Sequence, residues 1–366
     1  MWWTSGFPPD LGGVERLAAL VAPELARCGV DVLVVANTAD HEISEHEYHG
    51  IPVTRLPSRR ALATRDLPLI AASTRYVQKL KEQFHPDIVH VHFTDPSVHL
   101  HLATATPSTR TVLTFHNSLV SVVGGATDGS LFARAVARAD AISGVSESVL
   151  PSTLRDEAAR DGRLVTVIPN GVVVGDDLGP PPNPPTVLAV GRLIPAKGFD
   201  VLVRAFARSR AHARGTGLRI VGDGSERGAL EALASELGVP AQFTGELPAA
   251  AVTDEYRRAS LVVMPSRREG HPFVAIEAAA AGRPVLGSDI PGMRAVVENG
   301  TTGVLVPGDD PDALAHALDA LLEDPAQLAR LGVAARERAR AEYSLDVCVA
   351  RHLALYRAVL ERDPIA

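Results

Sequence analysis

Short apolar runs alternate with amphipathic stretches along the whole chain, and this alternation limits its possible folds more than any other feature. An unbroken apolar run reads as a strand buried on both faces, and such strands belong to parallel sheets joined by helical crossovers. In the first half the strand runs lie at 30–36, 88–92, 111–115, 141–145 and 164–168, with helical patterns at 12–27 and 75–84. Next comes Gly179-Pro-Pro-Pro-Asn-Pro-Pro185, which can be neither helix nor internal strand and should be stiff and extended. The second half repeats the alternation, with strand runs at 187–190, 218–221, 241–244, 261–264, 285–287 and 303–306, and helices including 225–237 and 312–322. The chain therefore reads as an α/β protein with parallel sheets: a domain over 1–178, a linker over 179–185 and a second domain over 186–344. In the last segment, 345–366, Val347, Ala350, Leu353, Tyr356, Val359 and Leu360 recur broadly at helical spacing.

The 366 residues, 46 % of them hydrophobic, suffice for two domains with separate cores, and no apolar run approaches the length of a membrane span. The opening Met-Trp-Trp-Thr-Ser-Gly has neither the basic nor the apolar region of a signal peptide. With 43 acidic and 36 basic side chains the protein is mildly acidic, which argues against general nucleic-acid binding. Its two cysteines, Cys28 and Cys348, fall on amphipathic helical patterns, read as core-filling thiols and fit a reducing cytoplasm. Nothing has zinc-ligand spacing.

Two segments carry chemistry. Glu269-Gly-His-Pro-Phe-Val-Ala-Ile-Glu277 follows the apolar run 261–264 and a Pro265-Ser266 break, giving strand, loop and helix start. Its carboxylates, eight positions or roughly two turns apart, should share about one face and point into one cleft. The intervening first-turn amides have no helical partners and carry the positive end of the dipole, which suits phosphate. Taken alone, the segment could equally be an ordinary strand–loop–helix with two solvated glutamates. The second segment runs from Thr186 to Phe206: a buried strand, Gly191, a loop bracketed by Arg192 and Lys197, then Gly198 and an amphipathic helix. A guanidinium and an ammonium on a loop leaving a parallel strand are placed to hold a diphosphate, and the glycines permit close backbone approach. A solvated basic loop is the plainer reading of this segment by itself.

Together the two segments resemble the G-R-x4-K-G and E-x7-E signatures of retaining GT-B glycosyltransferases of family GT4. Phe7-Pro-Pro-Asp-Leu-Gly-Gly-Val-Glu-Arg16, Pro86-Asp-Ile-Val-His-Val-His92, Thr114-Phe-His-Asn117, Val165-Thr-Val-Ile-Pro-Asn-Gly-Val172 and Ile220-Val-Gly-Asp-Gly224 follow in the family's order. The resemblance implies two Rossmann-like domains facing a central cleft, with the last helix crossing back onto the first domain. It implies that Arg192 and Lys197 neutralise the departing diphosphate, that Glu277 accepts the ribose hydroxyls, and that Glu269 faces the sugar hydroxyls. Gly191, Gly222, Gly270 and the amides of Phe273, Val274 and Ala275 would complete the donor site. Gly12 and Gly13 would bring backbone close to the donor phosphates and the acceptor, and His116 would contact the donor sugar near the reacting centre.

The implied reaction moves a sugar from a nucleotide-sugar donor, expected to be a UDP-sugar, to a hydroxyl of a small-molecule, lipid-linked or glycan acceptor. It proceeds by front-face displacement with retention and needs no metal or other cofactor. The setting expected is cytoplasmic, with peripheral contact at the inner face of the membrane as an open alternative. A sugar-nucleotide epimerase of the same fold and a degenerate, non-catalytic nucleotide-sugar-binding protein remain alternatives. Gly222-Asp-Gly-Ser-Glu-Arg-Gly228 is G-x-G-x3-G and sits mid-domain, so a dinucleotide oxidoreductase is disfavoured.

Several positions depart from the family pattern. Only six residues precede the glycine loop, so either Trp2-Trp3 form a stunted first strand or the true start lies upstream, and the second is expected. Val172-Val173 stand where an acidic residue is frequent, and Pro291-Gly-Met-Arg-Ala295 lacks a glutamate many members carry. Asp176-Asp177 superficially resemble a metal-binding pair but read as a solvated turn. Arg55, Arg59, Arg60 and Arg65 read as a solvated loop or as a basic lip for an anionic acceptor or membrane surface. His90 and His92 are expected on opposite faces of their strand, so not as a chelating pair.

Overall fold

The computed structural model describes the chain except residues 11, 94–96, 107, 117–129, 176–178, 180–183 and 363–366, and the side chains of Phe93 and Thr153. Most of the proposed linker, Asp176-Asp177 and Asn117 thus lie outside the described residues. The chain divides into two compact units, Met1–Gly171 with Leu345–Ala366, and Val172–Ser344.

The first unit runs β1 (Trp2–Trp3), α1 (Gly13–Arg27), β2 (Val34–Asn37), β3 (Ser44–Tyr48), β4 (Ile51–Leu56), α2 (Ser58–Thr64), α3 (Leu67–Phe84), β5 (Ile88–Phe93), α4 (Val98–Ala103), β6 (Arg110–Phe115), α5 (Leu131–Arg138), β7 (Ala141–Gly144), α6 (Ser152–Arg160) and β8 (Leu164–Val167). Its sheet has the order β3-β4-β2-β1-β5-β6-β7-β8 and is parallel except for the β3–β4 hairpin. Trp2–Trp3 supply the central strand, pairing Trp2 with Val34 on one side and with His90 on the other. Both tryptophans are buried, and Trp3 joins the core of Val35, Val89, Val91, Leu113 and Ile142. Two residues suffice here because Met1 accepts from the His90 amide (2.9 Å) and Thr4 donates to Val35 (2.9 Å), extending the ladder beyond the strand. The helix α14 (Leu345–Leu360) belongs to this unit and packs on α1.

The second unit runs β9 (Thr186–Val190), α7 (Phe199–Arg208), β10 (Gly217–Val221), α8 (Arg227–Glu236), β11 (Ala241–Gly245), α9 (Ala249–Arg258), β12 (Leu261–Met264), α10 (Phe273–Ala280), β13 (Val285–Ser288), α11 (Pro291–Arg294), β14 (Gly303–Val306), α12 (Pro311–Glu323) and α13 (Pro325–Glu342). Its sheet is parallel in the order β11-β10-β9-β12-β13-β14. Alternate residues of one strand feed two cores. Val187 and Ala189 of β9 join Phe199, Leu202 and Phe206, whereas Leu188 joins Val262, Ile276 and Ala278. Burial on both faces explains why these strands are apolar at every position. The strand order reverses between β9 and β12. Open α/β sheets bind ligands at such a switch point, beside the carboxyl ends of the strands.

The chain enters and leaves this unit side by side, with Val172 donating to Tyr343 at 2.8 Å and pairing with Ser344.

Candidate active site

The loops leaving β9 and β12 meet at the switch point of the second unit. Gly191 and Gly222 are packed backbone to backbone, at φ 151° and 133°, and a Cβ on Gly222 would overlap the Gly191 carbonyl oxygen. The Gly191 amide donates to Val221 (2.9 Å), and Leu193 exchanges bonds with Asp223 and Glu226 (2.8 and 2.9 Å). Gly222 thus shapes the cationic loop from beneath. Gly198 closes that loop at φ 65°, and a Cβ there would overlap the carbonyl oxygen of Pro265 from the neighbouring loop.

The Lys197 ammonium lies 2.6 Å from Glu269 Oε1, and the Ser266 hydroxyl donates to the same oxygen at 2.7 Å. The Glu269 side chain is 8 % exposed and that of Lys197 23 %. Arg192 is exposed and, among the described residues, its guanidinium has no partner. The two loop cations therefore differ: one is held by a carboxylate and the other is open to a ligand.

Glu269 does not stand on the helix, contrary to the expectation drawn from the eight-residue spacing. Pro272 caps α10, so Glu269 sits in the preceding loop and Glu277 in the second turn. Their spacing reflects a loop and a helix meeting rather than one helical face. Glu277 is buried and accepts from the Tyr256 hydroxyl of α9 at 2.9 Å. Of the three expected cradle amides, that of Ala275 is already spent on the Pro272 carbonyl at 3.1 Å. Among the described residues the amides of Phe273 and Val274 have no acceptor, so they remain available for an anion. Gly270 is buried beside this turn, and Gly292 approaches so closely that a Cβ on it would overlap the Glu269 carbonyl oxygen. Ala275, Ala278, Ala279 and Ala280 are all buried, so small side chains let α10 sit tightly under the site.

Arg267 is a site residue that sequence reading missed. It grips Asp200 with both terminal nitrogens (3.0 and 2.9 Å), donates from Nε to Asp309 (2.6 Å), and reaches the Pro195 carbonyl (2.5 Å). Its own amide donates to Ala196 at 2.9 Å. Burial opposes the charge on Asp200, yet the Arg267 guanidinium holds that carboxyl below its usual range. Arg267 thereby ties the β12 loop to the cationic loop and to the start of α7. An arginine three residues past a strand's carboxyl end was the available signal.

In the first unit, Gly12 and Gly13 are exposed at the start of α1, with Glu15 folded back against Gly12. The preceding loop is clamped by Arg55, which is buried on β4 rather than free on a basic lip. Its guanidinium reaches Asp10 (3.0 Å), the Phe7 carbonyl (2.7 Å) and the Pro8 carbonyl.

His116 follows β6 and is buried, its Nε2 lying 2.8 Å from His92 Nδ1. His92 stacks on Trp2 with ring centroids 4.0 Å apart, and the His90 ring lies 4.3 Å from that of His92. The expectation that His90 and His92 face opposite ways is wrong, because positions i and i+2 of a strand share a face. His90 is held by Tyr356 (2.7 Å) and Thr114 (2.6 Å). Burial, reinforced by His352, pushes His116 down to about 3, and His352 itself falls to about 4. The cluster is neutral at physiological pH.

No group of three or more metal-ligating side chains occurs among the described residues, and no helix among them is long and apolar enough to cross a membrane.

Two Rossmann-like units in one chain, the second with loop cations gathered at its switch point, have the layout of GT-B glycosyltransferases. The glycosyl transferases group 1 family matches residues 176–338, and glycosyltransferase family 4 matches residues 11–176. The chain belongs to the GT4 family of GT-B glycosyltransferases. Among curated relatives, a D-inositol 3-phosphate glycosyltransferase of Nocardia farcinica is 42 % identical over 168 residues, covering 43 % of this chain and 37 % of its own length. A GDP-mannose-dependent alpha-(1-6)-phosphatidylinositol monomannoside mannosyltransferase of Mycolicibacterium smegmatis is 38 % identical over 161 residues, 42 % of each chain. The matched region thus spans less than half the length of these relatives. Sucrose-phosphate synthase from Thermosynechococcus elongatus has the same fold, with TM-score 0.76 at 23 % identity over 98 % of both chains. Anabaena HepE, solved with UDP and glucose, has TM-score 0.76 at 18 % identity over 98 % of this chain and 99 % of its own.

Proposed function

We propose that this protein transfers a sugar from a nucleotide-sugar donor to an acceptor hydroxyl with retention of anomeric configuration. The observation that carries the reading is the switch point of the second unit. There an open guanidinium (Arg192) and a tethered ammonium (Lys197) on the loop after β9 accompany the first-turn amides of Phe273 and Val274, which follow the adjoining loop after β12. Such a set suits a diphosphate leaving group, whose charge grows as the sugar departs. Glu277, oriented by Tyr256, is suited to the ribose hydroxyls. Glu269 fixes Lys197 and is suited to the sugar.

In this reading the bond from the anomeric carbon to the phosphate oxygen breaks while a bond to the acceptor oxygen forms on the same face. The acceptor proton passes to the departing diphosphate. Protein cations meet the phosphate charge, so EDTA is expected to leave turnover unchanged. UDP-sugars are the donors we favour, and the GDP-mannose dependence of one relative makes GDP-mannose the second donor to try. The relatives' names make an inositol phosphate and a phosphatidylinositol mannoside the first acceptors.

The test is nucleotide release from UDP-glucose, UDP-N-acetylglucosamine and GDP-mannose, with and without these acceptors, followed by NMR of the product's anomeric coupling. Acceptor-dependent release with the donor's anomeric configuration preserved supports the proposal. Conversion of a UDP-sugar without acceptor would replace it with an epimerase, and an inverted product would overturn retention.

A further inference from the structure

Two buried rings share one hydrogen bond at the carboxyl edge of the first sheet, between His92 Nδ1 and His116 Nε2. One of the two nitrogens must carry the proton. The other nitrogen of His92 decides which. His92 Nε2 is buried and, among the described residues, has no hydrogen-bond partner. A buried N–H left without an acceptor is a rarer and costlier defect than a buried lone pair left without a donor. His92 therefore keeps its lone pair on Nε2 and its proton on Nδ1, and donates to His116. Nε2 of His116 is then an acceptor, so its proton sits on Nδ1, which has no partner among the described residues.

The surroundings keep the pair in this arrangement. Trp2 stacks on His92 and prevents it from turning, and His90 on the next inward position of β5 is locked by Tyr356 and Thr114. His352 donates its own Nδ1–H to the Cys348 carbonyl at 2.8 Å, so it does not compete for the shared bond. Burial keeps His92 and His116 neutral, which preserves the donor–acceptor order across physiological pH.

We infer that His92 is a positioning residue that fixes the tautomer of His116, making His116 a neutral hydrogen-bond donor through Nδ1 rather than a base. This role rests on the reading above that His116 meets the donor sugar, where an N–H can be accepted by a sugar oxygen. The catalytic consequence is specific. His116 cannot take the acceptor's proton, which agrees with a proton passing to the departing phosphate.

The direct test is long-range proton–nitrogen correlation NMR on the full chain labelled with ¹⁵N-histidine, with His92→Phe and His116→Gln assigning the signals. The inference expects a protonated Nδ1 and an unprotonated Nε2 in both rings, with His116 becoming a tautomer mixture in His92→Phe. A protonated Nε2 on His116 in the wild-type chain would overturn it. Kinetically, His92→Phe should lose about tenfold or more in kcat with the donor KM unchanged. His92→Asn, whose side-chain amide can donate from nearly the same place, should recover most of that loss. Equal losses in Phe and Asn variants would reduce His92 to packing and overturn the positioning role. Failure of the wild-type chain to transfer any sugar would instead count against the transferase reading, and the NMR result would still decide the tautomer.

Discussion

Lys197 and Glu269, 72 positions apart in sequence, meet at 2.6 Å where the loops after β9 and β12 adjoin. This pair joins the two segments that carry the site, and it separates the roles of the two loop cations. Glu269 is nearly buried, so its partners matter for folding as well as for ligand. Lys197→Met leaves it with Ser266 as its one side-chain partner among the described residues and is expected to lower stability by about 2 kcal/mol. Arg192→Ala removes an exposed side chain that has no partner among the described residues, and is expected to change stability by less than about 0.5 kcal/mol. Urea unfolding of both variants checks this contrast.

Arg267 is expected to control donor affinity without touching the donor. Its bidentate grip on Asp200 and its bond to Asp309 need a planar guanidinium, which lysine does not supply. Arg267→Lys should weaken nucleotide binding about tenfold while costing about 1 kcal/mol of stability, because the pair is partly solvated. Titration calorimetry with the nucleotide measures the first quantity and chemical denaturation the second.

How far the chain could be read from sequence depended on where partners lie. Strands of the second unit were legible almost to the residue because burial on both faces makes them continuously apolar; 261–264 and 303–306 coincide with β12 and β14. The hairpin of β3 and β4 was not legible. Ser44–Tyr48 is mostly exposed and polar, and its pairing with Ile51–Leu56 comes from cross-strand register rather than from composition. Arg55 read as a surface charge because its partners, the carbonyls of Phe7 and Pro8, lie nearly fifty positions away. Sequence distance likewise hid Arg267, whose partners Asp200 and Asp309 lie 67 and 42 positions away. Arg192, Lys197, Glu269 and Glu277 were visible because strand–loop–helix punctuation marks where a switch point gathers charge. What was not visible was that Lys197 and Glu269 are bonded to each other, and that Ala275 spends its amide on Pro272.

The buried histidines make the first unit sensitive to mild acid. His90, His92, His101, His116 and His352 all have pKa values lowered by burial, to about 3 for His116 and about 4 for His352. Their unfolded pKa is 6.5, so below that pH the unfolded chain binds protons that the folded unit refuses. Stability is therefore complete above pH 6.5 and is lost as pH falls toward the folded values, each residue contributing up to about 1.4 kcal/mol per pH unit. Both tryptophans of the chain, Trp2 and Trp3, lie in this unit, so tryptophan fluorescence reports on it alone. The urea midpoint read by fluorescence should drop between pH 7 and pH 5.5. A midpoint constant down to the ordinary carboxylate range would contradict this.

We expect the switch point of the second unit to bind the diphosphate of a nucleotide sugar through Arg192 and Lys197. Titration calorimetry of UDP, GDP and ADP into the intact chain, and into Arg192→Ala/Lys197→Ala, tests it most directly. Selective binding of UDP is expected, weakening at least about a hundredfold in the double variant. Binding of GDP in place of UDP, with the same loss, would move the donor base while leaving the site where it is. A folded wild-type chain that binds none of the three, or a double variant that binds as tightly as wild type, would rule out a diphosphate site at Arg192 and Lys197.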